Sequence, residues 1–170
     1  MAVGLGLTAV AVVQLESLNE NAARERLRDA TERAAATVLN RFRLYQFGLR
    51  GVRGAVLVGG GAAVTRASFH NYSLTRDLKQ EFPGARGFGF VRRVPQKDEA
   101  KFLAAARADG VPDFAIRTLT PHDGERYVIQ FIEPLEANGQ ALGLDIASED
   151  NRRIAAETAL LSGDPALTAP

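Results

Sequence analysis

Residues 127–153 read YVIQFIEPLEANGQALGLDIASEDNRR, and the fold class turns on how that stretch divides. From Tyr127 to Ile132, the residues Tyr127, Ile129 and Phe131 alternate with Val128, Gln130 and Ile132. That period of two marks a strand, and Pro134 ends it. A turn over Glu136, Ala137, Asn138 and Gly139 leads to a second predicted strand. It sets Leu142, Leu144 and Ile146 on one face and Ala141, Gly143 and Asp145 on the other. Ser148 is the expected N-cap of a helix whose first residues, Glu149 and Asp150, sit well at the positive end of its dipole. Those two acids therefore read as helix-start chemistry rather than as a catalytic pair.

Two readings of Asp145 stand side by side. In one, the leucines face the core and the carboxylate points at water. In the other, Ala141 and Gly143 leave a hollow over the sheet, and Asp145 fixes the orientation of a small ligand in it. Spacing does not choose between them.

Upstream, apolar positions recur in steps of three and four from Leu15, Leu18 and Ala22 through Leu27, Ala30, Ala34, Val38, Phe42, Tyr45, Leu49 and Val52 to Val56. This is one amphipathic helix, on the order of 60 Å long at the usual rise per residue. Its other face carries Arg24, Glu25, Arg28, Asp29, Glu32 and Arg33, a solvated face. A small domain cannot bury the whole stripe, so a parallel copy from a second subunit is the expected partner of its first half. Gly48, Gly51 and Gly54 mark close packing or a break, and Gly59, Gly60 and Gly61 end the helix. No Lys-Ser or Lys-Thr follows the triple glycine, so it is a poor phosphate loop.

Beyond it, Arg66 to Phe82 is predicted as a second helix stopped by Pro83, Gly87 to Val94 as a strand, and a third helix as starting at Pro95 and ending before Gly110. Phe114 to Leu119 reads as a short strand that Asp123-Gly124 turns back onto Tyr127 as an antiparallel pair. The order is that of an α+β domain. At the other end, Ala2 to Val13 is apolar but short for a bilayer. It fits the outer end of a transmembrane helix.

Lys plus Arg number 21 against 20 Asp plus Glu, which removes the electrostatic case for nucleic acid. Cysteine is absent, so there is no disulfide framework, thiol nucleophile or thiolate metal site. The two histidines, His70 and His122, lie in unlike settings. His122, Asp123 and Glu125 around Asp-Gly make a turn before they make a metal site. No nucleophile elbow or zinc spacing stands out, and no cofactor is called for.

Pro83-Gly84, Gly87 to Val94, Tyr127 to Pro134, Ala137-Asn138, Gly143-Leu144-Asp145, Arg152-Arg153, Ser162-Gly163 and Leu167-Thr168 together resemble the CHASE family. These are extracytoplasmic sensor modules of membrane-bound histidine kinases and diguanylate cyclases, plant cytokinin receptors among them. The resemblance implies a stalk helix leading into two PAS-like lobes, the membrane-distal one holding the ligand. It assigns Asp145 as the ligand-contacting acid and Leu167 as a pocket residue. Ala141, Gly143, Tyr127 and Phe131 are the further candidates around that hollow.

The expected organisation is thus a transmembrane end over 1–13, a stalk over 14–60 and a PAS-like lobe over 61–170, cut before a second lobe. The expected function is small-ligand sensing at an inner membrane, in the periplasm or another extracytoplasmic space, with lobe closure passed to the stalk of a homodimer. The alternative is a ligand-free dimerisation ectodomain that responds to a protein partner.

Overall fold

The computed structural model describes the backbone of residues 2–169 and the side chains of 14–61 and 63–169. The side chains of the transmembrane end expected over 1–13 therefore lie outside the described residues. No described helix is long and apolar enough to cross a membrane. Two compact units divide the chain, residues 1–44 and 45–170.

Helix α1 runs over Ala2–Val58, as the apolar spacing predicts for its described part, and it is continuous through Gly48, Gly51 and Gly54. Leu15, Leu18, Leu27, Val38 and Phe42 are exposed within the first unit, while Arg24 pairs with Glu20 and Arg28 with Glu32 one turn apart. In the second unit the helix earns its burial. Val56 is core, and a Cβ at Gly48 would lie 2.5 Å from the Phe82 ring, so this glycine lets an aromatic ring lie against the helix backbone. Gly60, with φ of 101°, carries the chain out of the helix.

The predicted helix over Arg66–Phe82 is two pieces, α2 (Arg66–Ser73) and α3 (Leu78–Glu81). Asp77 explains the break. Its carboxylate accepts from the backbone N–H of Lys79 and Gln80, starting a new helix where the spacing implied continuation. Strand β1 (Phe88–Val94) and helix α4 (Glu99–Ala108) follow as expected. Phe114–Leu119 is not a strand and does not pair with β2 (Arg126–Glu133); Arg117 makes a single parallel bridge to Leu144 instead. The partner of β2 is β1, antiparallel.

One irregularity in that pair rearranges the predicted faces. Phe90 opposes Phe131, yet Val91 opposes Ile129, leaving Gln130 as the extra residue of a bulge. Inserting one residue flips everything beyond it to the other face. Phe131 consequently joins Val128 on the buried side, and Tyr127 and Ile129 stay on the other. The grouping of Tyr127 with Phe131 expected from strict alternation does not survive.

Two apolar clusters result. Val56, Val64, Phe69 and Phe131 form one with Phe88 and Phe90, the Phe131 ring lying 5.5 Å from Phe69 and 5.8 Å from Phe90. Val94, Ala106, Phe114 and Val128 form the other, with Phe102 and Leu142 against it. The chain is α+β, a long helix and a two-stranded antiparallel sheet with covering helices.

Candidate polar site around Asp145

The second strand expected over Ala141–Ile146 is absent. Residues Leu135–Asn138 form the short helix α5, a 3-10 turn covers Gly139–Ala141, and only isolated bridges follow at Leu144 and Asp145. Gly143 is the reason. Its φ of 78° is a left-handed turn, its N–H donates to Ile129 O at 2.8 Å and its carbonyl accepts from Arg117 N at 2.9 Å. A Cβ there would collide with the Ala115 carbonyl, so the space that small residues were expected to leave over the sheet is filled by backbone. Ala141 is half-buried in the loop that the Arg117 guanidinium braces through the carbonyls of Gln140 and Leu142.

Asp145 is fully buried, and its carboxylate is a junction. Oδ1 accepts from Tyr127 N at 2.8 Å and Ala147 N at 3.0 Å. Oδ2 meets His122 Nε2 at 2.7 Å, with Arg126 Nη1 at 3.6 Å. Charge-assisted bonds of this kind offset the cost of burying an anion, and three of them converge on this carboxylate, with the Arg126 charge nearby. Arg126 also donates to His122 O at 3.0 Å and lies 3.5 Å from Glu99, so its own charge is balanced.

The tautomer of His122 follows from its neighbours. Gly124 N–H donates to Nδ1 at 3.2 Å, so the ring proton sits on Nε2 and is given to Asp145. Ser148, expected as a helix cap, is instead used at the junction. Its hydroxyl donates to Asp145 O and accepts from Leu119 N at 2.9 Å, which leaves it no activated role as a nucleophile. The cap of α6 (Asp150–Ser162) is Glu149, whose carboxylate accepts from Asn151 N. The helix-start role read for the acids at 149–150 is thus visible, one residue later than placed.

Over this junction lies a polar hollow of about 540 Å³ walled by His122, Ser148, Glu149, Asn151 and Arg153. Next to it is a second, of about 460 Å³, with Arg93, Tyr127, Glu157 and Leu160. Gly124 and Arg153 line both, so the two form one trough along α6. Loss of water contact and the Glu157 carboxylate push the Tyr127 phenol above its ordinary value, with Arg93 pulling the other way. Arg93 is held above its ordinary range by its hydrogen bond to Glu125, and Arg153 by Asp150. The trough offers donors and acceptors of both charges, suited to binding a small polar molecule.

Of the residues singled out by sequence, Asp145 and Tyr127 come together here, the acid beneath the floor and the phenol in the wall. Phe131 belongs to the apolar cluster around Phe69, Gly143 and Ala141 to the loop behind Asp145, and Leu167 is 75% exposed outside the trough. Sequence reasoning missed His122, Arg126 and Ser148. No periodicity links His122 to a carboxylate 23 residues away. Its polar turn was the only local signal.

Residues 62–170 match the family model of the CHASE domain. Among curated proteins, none matches the chain.

Proposed function

Because the chain belongs to the CHASE family, a sensor domain of signalling receptors, we propose that its lobe is PAS-like and that a small polar ligand binds in the trough beside His122. The parent would be a membrane-bound histidine kinase or diguanylate cyclase with this part outside the cytoplasm. One observation carries the reading: the buried Asp145 carboxylate reaches the trough through the Nε2–H of His122. The same carboxylate holds the start of β2 through Tyr127 N and the turn before α6 through Ala147 N. A ligand that engages His122 changes the balance of bonds on Asp145 and so biases the position of α6 against β2. It shifts the equilibrium by its differential affinity for the two arrangements and by no more. In this form the family's ligand-contacting acid acts through a histidine rather than by direct contact. Gly143 and Ala141 serve by shaping the loop that keeps Asp145 buried.

A thermal-shift survey of small metabolites on the whole chain tests this, run beside His122→Ala and Arg153→Ala. A ligand of the trough raises the midpoint in proportion to the logarithm of its concentration once in excess. The rise should be lost in both variants. A compound whose shift is the same in all three proteins binds elsewhere and refutes the trough as the sensing site.

The exposed apolar residues Leu15, Leu18, Leu27 and Val38 favour a second reading, in which residues 14–44 pair with another copy of the chain and the lobe answers a protein partner. Sedimentation of the chain separates the two. Dimerisation abolished by Leu18→Glu with Leu27→Glu, together with an unresponsive trough, would favour this reading.

A further inference from the structure

A third hollow lies on the other side of the lobe. From Tyr45 onward α1 faces the segment Leu78–Phe88, and the two surfaces leave an apolar space of about 220 Å³ between Tyr45, Leu49, Val52, Phe82 and Phe88. It shares no residue with the trough.

The frame of this space is fixed. The Tyr45 hydroxyl donates to Pro83 O at 2.7 Å, holding the Phe82–Gly84 turn across one end, and Gly84 takes the φ of 94° that the turn needs. At the other end the Arg76 guanidinium pairs with Glu81 and lies 5.6 Å above the Phe82 ring. Gly48, itself buried, lets the Phe82 ring come close to the helix backbone. Leu49, by contrast, is half-exposed, so the space is open to solvent on its side.

The polar groups at its edge are therefore spent on one another. A charged guest would find no free counter-charge, and its desolvation would go uncompensated. Aromatic walls favour a flat guest, which can meet the tilted Tyr45 and Phe82 rings, 6.3 Å apart, by edge or face. Size bounds it further: an apolar cavity of about 150 Å³ in another protein takes benzene, and this one is about half as large again.

We propose that this hollow is a second small-molecule site, for a neutral aromatic molecule of one or two fused rings. Its occupation fastens residues 45–52 of α1 to the entry of β1. The site stands apart from the trough, and neither depends on the other.

Indole is the probe. The chain has no tryptophan, so indole emission reports the probe alone. Titrating indole with the whole chain should give a saturable blue shift, with Kd on the order of 0.1–1 mM for a ligand of this size. Nuclear Overhauser contacts from indole protons to the Tyr45 and Phe82 rings should appear in the unaltered protein. Ala85 stands exposed at the rim of the hollow, and Ala85→Leu should weaken binding at least tenfold while far-UV circular dichroism stays unchanged. Arg153→Ala, in the trough, should leave the Kd as it was. Absence of a saturable shift, of contacts to those rings, or of any effect from a folded Ala85→Leu would overturn the proposal, and none of these results bears on the trough.

Discussion

The two ends of β2 are held by different physics. Its beginning, at Tyr127, hangs on hydrogen bonds to a buried carboxylate; its end, at Phe131, is gripped by aromatic rings packed around Phe69. Between them the bulge at Gln130 changes which face is buried. Apolar packing tolerates small displacements, because its energy is spread over many weak contacts. A buried carboxylate held by discrete hydrogen bonds does not, because each lost partner leaves a buried polar group unpaired. A sensor gains from having both in one strand: a firm anchor at one end and an all-or-none latch at the other.

The sharpest way to break this contrast is to remove each anchor. Asp145→Ala leaves the backbone N–H groups of Tyr127 and Ala147 and the His122 Nε2–H without their acceptor and should cost about 3–5 kcal/mol. Phe131→Ala should cost about as much, ~3–5 kcal/mol, through a cavity. Urea denaturation measures both; the two should differ in that Asp145→Asn recovers part of the loss and remains sensitive to His122. An Asp145→Ala protein as stable as the parent would mean that the carboxylate is ornamental.

A smaller effect is expected at Gly143. Alanine there must adopt a left-handed backbone and displace the Ala115 carbonyl, a strain of about 2–3 kcal/mol by the usual cost of such conformations. Gly54, where a Cβ would meet nothing within 4 Å, is the control, and Gly54→Ala should be neutral or stabilising. Smaller again is His122→Ala. It removes one charge-assisted bond from Asp145 but leaves the Tyr127 and Ala147 amides paired, for a loss of about 1–2 kcal/mol.

Least in stability, yet informative in pH, is Tyr127→Phe. At neutral pH it should change stability by less than about 0.5 kcal/mol. Because the folded phenol is raised above its ordinary value of 10.0, the folded state keeps a proton that the unfolded state gives up. Stability associated with it is complete below the ordinary value and falls as pH rises through the folded one. The alkaline loss should therefore be shallower in Tyr127→Phe. A spectrophotometric titration of the two proteins should differ by one phenol ionising above the ordinary range.

Much of the architecture was legible in the chain. The steps of three and four from Leu15 to Val56 gave α1, and Gly59–Gly61 gave its end, because both signals are local. The strand at 127–132 was legible for the same reason. Its faces were not. A bulge shows in sequence only through the partner strand, and nothing near Gln130 announces it. The strand expected after Ala141 failed on a single glycine whose conformation is set by a carbonyl, that of Ala115, 28 residues earlier. Ser148 failed as a cap because a hydroxyl in reach of Asp145 O and Leu119 N finds better partners than the helix start. His122 and Arg126 reach the site by tertiary placement alone, and that is invisible to spacing.

Amide hydrogen exchange at Tyr127 and Ala147 tests the buried latch most directly. Both N–H groups donate to Asp145 Oδ1, at 2.8 and 3.0 Å. They should exchange only through global unfolding, with protection equal to that of Phe131 N in the apolar end of the same strand. Exchange of these two amides at local-opening rates while Phe131 stays protected, unchanged by Asp145→Asn, would contradict the latch.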